Sequence, residues 1–140
     1  MTREGDLPRP AVLTWVDAAD AERLRTALRG TDLHVVELNG ALVDDAPSLF
    51  AAFESLLGRS FAAGRWDALR DVMPEIVGRT RSEDSCLVWD HADNMLHGGL
   101  PDLVTALHLL VETSRDLEQH NRRFVTFLIG EGPNFPRLGS

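Results

Sequence analysis

Cys86-Leu87-Val88-Trp89-Asp90, followed by Pro101 to Gln119 and then Phe124-Val125-Thr126-Phe127-Leu128-Ile129, is the stretch that decides the fold. Residues 86–90 form a compact apolar run of strand type. Residues 91–99 make a turn with room for one helical turn inside it. Pro101 suits a first helical position. Leu103, Val104, Leu107, Leu110 and Val111 then recur at helical spacing and define the expected buried face of the longest helix, to about Gln119. Residues 124–129 are a second apolar strand. Strand, helix and strand in this order predict a parallel pair joined by a right-handed crossover.

The same alternation continues upstream. His34-Val35-Val36-Glu37-Leu38 reads as a strand stopped by the turn pair Asn39-Gly40. Pro47 opens a helix with Leu49, Phe50, Phe53, Leu56 and Leu57 on its apolar face, and Gly58 ends it. Residues 58–65 read as a loop. A short helix is expected from Trp66 to Met73, because Pro74 disfavours helical geometry in the residue before it. Residues 74–85 read as polar loop. Nearer the N-terminus, residues 11–16 form a possible fourth strand. Asp17 can cap the helix that follows, and Gly30 closes it. The expected architecture is a small α/β domain with a parallel sheet of three core strands (34–38, 86–90, 124–129) and a fourth from 11–16. Residues 1–33 then form an added strand-helix unit, 34–130 the domain proper, and 131–140, rich in glycine and proline, a flexible tail.

Composition narrows the function. The chain has 140 residues, enough for one domain. A chain of that size buries roughly 68% of its unfolded surface and needs neither disulfide nor metal to fold. With 14 Lys and Arg against 22 Asp and Glu, the net charge is −8. Such a chain is poorly suited to a phosphate backbone, so no direct nucleic-acid binding is expected, and a basic partner is. A single cysteine excludes an internal disulfide framework. No apolar run approaches the ~20 residues of a membrane span, and the charged start MTREGDLPRP has no apolar segment behind it. A soluble, cytoplasmic location is expected, with no cofactor.

Enzymatic chemistry finds little support. There is no Gly-rich phosphate loop after a strand and no Gly-x-Ser-x-Gly elbow. Cys86 lies in an apolar strand, the setting of an inert thiol. His91, Asp93 and His97 match no standard metal-ligand spacing, and His108 reads as a boundary histidine. The carboxylates are more informative. Asp67 and Asp71 share one face of the short helix, and Glu112 and Asp116 share one face of the long helix. On spacing alone these read as solvated helix surface, partly offset by Arg70 and Arg115.

A resemblance changes that weighting. Phe61-Ala62-Ala63-Gly64-Arg65-Trp66-Asp67-Ala68-Leu69-Arg70-Asp71-Val72-Met73 resembles the signature segment of the barstar family, intracellular inhibitors of the ribonuclease barnase. Trp66-Asp67-Ala68-Leu69-x-Asp71 carries the match. The strand at 35–38, the helix at 49–57, the strand at 87–89 and the last helix and strand follow in the family's order, so the resemblance covers about residues 34–130. It implies a non-enzymatic inhibitor whose acidic helix and preceding loop plug the active site of a basic ribonuclease. It further implies that Asp67 and Asp71 are the two motif aspartates, with Asp71 in a phosphate position among the enzyme's cations. Phe61 then stacks on the enzyme's histidine, Trp66 belongs to the same surface, Glu112 pairs with an arginine, and Asp116 lies beside it. The segment departs from the pattern in three places. Arg70 stands at the motif's variable position, Gly64-Arg65 replaces a longer Gly-x-Asn element, and Ala62 and Ala63 lack aromatic and glycine character. The alternative from another class is a protein-binding adaptor that keeps this fold and has a non-ribonuclease partner. The sequence leaves the oligomeric state open.

Overall fold

A computed structural model of the chain describes residues 12–58, 60, 65–78 and 84–138. In chain order the elements are β1 (Leu13–Asp17), a 3-10 turn (Ala18–Asp20), α1 (Ala21–Arg29), β2 (His34–Asn39), α2 (Ala46–Leu57), α3 (Trp66–Gly78), β3 (Ser85–Asp90), α4 (Asn94–Gly98), α5 (Leu100–Glu118) and β4 (Phe124–Gly130). The sheet has four strands in the order β1-β4-β3-β2, all parallel. The α/β class and the parallel sheet expected from the alternation are therefore present. In register, Val36 lies opposite Leu87, and Leu87 opposite Thr126.

Both faces of the sheet are covered, which is why β3 and β4 are almost continuously apolar instead of alternating. One face packs under α2, α3, α4 and α5, with Leu38, Leu87, Trp89, Phe124 and Leu128 pointing into that core. The other face packs under α1, where Leu24 and Leu28 meet Val16, Cys86, Val88, Val125 and Ile129. β1 and β2 are neighbours in sequence yet occupy opposite edges of the sheet. α1 makes that crossing and in doing so buries the second face.

Local chemistry sets the element ends. Asp45 and Ser48 form a reciprocal capping box at the start of α2: the Asp45 carboxylate accepts from the Ser48 N–H at 2.9 Å, and Ser48 Oγ accepts from the Asp45 N–H at 3.2 Å. Gly58 ends α2 in the left-handed region, at φ 75°. Gly40 follows β2 for a different reason. A Cβ there would lie 2.1 Å from the carbonyl oxygen of Asp90 and 2.8 Å from the Trp89 indole nitrogen, so only glycine permits this approach.

Three expectations need correction. First, α3 does not stop at Met73. It runs through Pro74 to Gly78, so the first part of the expected loop over 74–85 is helical. Pro74 cannot donate the backbone bond that position would give, a loss on the order of 3 kcal/mol. Burial of Leu69, Val72 and Met73 on one side of the helix offsets it. Second, the buried face of α5 is rotated from the one the apolar pattern implied. Leu103, Ala106, Leu109, Leu110, Thr113 and Ser114 face inward, while Val104 is 49% exposed. The two buried hydroxyls are satisfied, since Thr113 Oγ1 donates to the Leu109 carbonyl at 2.9 Å and Ser114 Oγ to the Phe124 carbonyl at 2.7 Å. Third, residues 131–138 are not a loose tail. Phe135 is buried and meets Trp15 edge-on, with ring centroids 5.4 Å apart. The Asp17 N–H donates to the Pro136 carbonyl at 3.0 Å.

That last segment is clasped by one carboxylate. Asp20 is fully buried. Its Oδ2 accepts from Arg137 Nε at 2.7 Å and from the Leu138 N–H at 2.8 Å, and its Oδ1 accepts from a second Arg137 nitrogen at 3.0 Å. The Arg137 hydrogen bonds first, and the Leu138 N–H after them, lower its pKa from 3.8 to about 2. A carboxylate with a depressed native pKa contributes stability that is fully present above its unfolded value. That contribution is lost as the pH falls from about 4 toward about 2. Asp20→Asn should therefore be less stable than the parent at pH 7 and show a flatter loss of stability between pH 4 and 2. Urea unfolding across that range is the check, and equal slopes for both proteins would remove the clasp from the acid response.

Candidate partner-binding surface

α3 presents its motif on two sides. Leu69, Val72 and Met73 go into the core. Asp67, Arg70 and Asp71 go to solvent, one turn apart. Trp66, at the start of the helix, is half-buried and packs edge-on against Phe50 of α2, with centroids 4.9 Å apart and planes at 71°. Such a pair contributes about 0.5–1.5 kcal/mol beyond its buried area and ties the first residue of α3 to α2. Phe61 lies outside the described residues.

α5 supplies the neighbouring wall. Glu112 and Asp116 are exposed on this helix. Arg70 joins the two helices: one guanidinium nitrogen lies 3.7 Å from Asp67 Oδ1, and the other 3.4 Å from Glu112 Oε1. α3 and α5 thus bring Asp67, Arg70 and Glu112 together on one surface. Asp71 and Asp116 make no ion pair with a described residue, though the Asp116 carbonyl meets the His120 ring at 3.0 Å. These five side chains are four carboxylates and one guanidinium, a surface suited to a cationic partner.

Sequence reasoning placed Arg70 as an offset to Asp67 and missed its reach to Glu112, 42 residues away. Nothing local in the chain signals that pairing. It also missed a groove of about 340 Å³ beside Glu112, lined by Leu13, Val104, Leu107, His108, Val111 and Arg115. Val104, turned outward, forms part of its wall.

The chain's single thiol is poorly placed to act as a nucleophile. Cys86 is buried, and burial first, then the Glu37 charge, pushes its thiol up to about 11. Among the described residues no helix is long and apolar enough to cross a membrane.

The sequence matches the barstar (barnase inhibitor) family over residues 33–129, and the chain belongs to that family. The β1–α1 unit precedes the matched region. No curated protein matches the chain. Among solved structures it is similar to Cdc6p from Pyrobaculum aerophilum, at 16% identity and a TM-score of 0.52, over 87% of this chain and 32% of that one. At that identity the likeness is one of fold, and the present chain spans about a third of that protein.

Proposed function

We propose that this protein inhibits a barnase-type ribonuclease by stoichiometric occlusion, with the exposed side of α3 and the adjoining side of α5 covering the enzyme's active site. The observation that carries the reading is the pairing of a family motif with an exposed acidic surface. Asp67 and Asp71 stand on the solvent side of α3, and Arg70 ties that helix to Glu112 of α5. Asp71 is then the carboxylate that meets the enzyme's cations, Glu112 and Asp116 extend the contact along α5, and no group of this chain performs chemistry. The β1–α1 unit is read as an addition that closes the far face of the sheet, leaving α3 and α5 outward. Protection of a cell from a ribonuclease toxin, an antitoxin or immunity role in the cytoplasm, is the biological form this takes.

The test is inhibition of barnase and of any ribonuclease encoded beside this chain, at increasing molar ratio. Activity should fall linearly to an end point near one to one. The association rate should also drop as salt is raised, because attraction between separated charges is screened beyond about 8 Å at physiological ionic strength. No inhibition at any ratio, or an association rate flat from low to high salt, would favour the adaptor reading with an apolar interface.

A further inference from the structure

We infer that Arg70 is a specificity-determining residue of this face, an internal competitor for the cations that a partner brings to Asp67 and Glu112. The inference rests on the reading that the α3–α5 surface receives a basic partner. Its ground is the geometry of the free protein. The Arg70 guanidinium lies 3.7 Å from Asp67 and 3.4 Å from Glu112, and bridges the two helices that carry the acidic side chains. A partner guanidinium seeking both oxygens of either carboxylate finds one of them, Asp67 Oδ1 or Glu112 Oε1, shared with Arg70, and Arg70 competes with it for that oxygen. Displacement is feasible, because the Arg70 side chain is 52% exposed and ion pairs so exposed are weak.

Displacement leaves a second problem. Arg70 stays within the contact area, where a cation facing other cations is unfavourable unless it finds an acceptor. A partner that offers only arginines and lysines is therefore disfavoured. A partner that sets a carboxylate opposite Arg70, among cations that meet Asp71 and Glu112, is favoured. The same residue thus weakens binding to basic proteins in general and selects for one with an acidic group in the matching place.

The probe that separates these ideas is a fluorescent deca-arginine peptide, which has cations and no carboxylate side chain. Its affinity is measured at low salt for the parent, Arg70→Gln, Arg70→Lys, Arg70→Gln/Glu112→Gln and Arg29→Gln. Arg29, on α1, controls for net charge alone. Arg70→Gln should bind the peptide about two- to fivefold tighter than the parent, the scale of a weak exposed ion pair. Arg29→Gln should change affinity less, Arg70→Lys should stay near the parent, and the gain should vanish in the double variant. An equal gain for Arg29→Gln, or no gain for Arg70→Gln, overturns the inference. Amide shifts in the parent complex keep the underlying reading distinguishable. Peptide-induced shifts that avoid residues 67, 71, 112 and 116 remove the binding face itself. Shifts at those residues without a gain for Arg70→Gln remove only the role of Arg70.

Discussion

Asp71→Ala should leave the protein folded and weaken its complex with a barnase-type ribonuclease by at least about 2 kcal/mol, roughly thirtyfold. The two halves of this expectation come from the same observation. Asp71 is exposed and makes no ion pair with a described residue, so its removal breaks nothing in the free chain, and stability should change by no more than about 0.5 kcal/mol. In the proposed complex the carboxylate becomes buried opposite the enzyme's cations. Truncation then leaves those cations desolvated without a counter-charge, which costs far more than the loss of a solvated contact. Asp67→Ala should have a smaller effect, because Asp67 already shares Arg70 with Glu112. Titration calorimetry paired with thermal unfolding decides the matter. If folded Asp71→Ala binds as tightly as the parent, α3 is not the inhibitory element.

Much of the architecture was legible because its signals are local. Apolar runs at 34–38, 86–90 and 124–129 mark strands. Pro47 and Pro101 mark helix starts, β2 ends at Asn39, and α2 ends at Leu57 with Gly58 as its cap. The misread parts depend on contacts distant in sequence. Pro74 predicts a stop by local rules, yet α3 continues because Leu69, Val72 and Met73 are already held in the core. The composition of residues 131–140 predicts a flexible tail, yet residues 131–138 are held by Asp20, more than a hundred residues earlier, and by Trp15 against Phe135. Val104 fits the apolar pattern of α5 and still faces outward, since periodicity marks an amphipathic helix better than it marks which edge of the stripe is covered. At the candidate surface the aspartates at 67 and 71 stand out only through the family resemblance, since their spacing alone reads as solvated helix, and the Arg70 to Glu112 bridge has no signal in the sequence at all. It exists only because α3 and α5 pack side by side.

Leu69→Ala is expected to be the most damaging single change to the surface, although the side chain never reaches it. Leu69 is the leucine of the Asp-Ala-Leu-x-Asp motif and is 0% exposed, in one core with Phe50, Phe53, Val72 and Met73. Truncating a buried leucine removes its transfer free energy and leaves a cavity that the neighbours fill only in part, a loss of about 2–5 kcal/mol. α3 is unusually dependent on that packing. It carries Pro74 within its span and so lacks a backbone hydrogen bond that an ordinary helix would have. Loosening the helix also spreads Asp67 and Asp71 over many positions, so binding should weaken in a protein whose charged face is unchanged in composition. Leu69→Met, which nearly conserves volume, should cost less than about 1.5 kcal/mol and retain most of the affinity. Denaturant unfolding of both variants, with binding measured under conditions where each is folded, separates the two effects. A loss below about 1 kcal/mol for Leu69→Ala would mean that α3 is not locked into the core by its motif leucine. The close link between the buried side of this motif and its acidic side would then be lost.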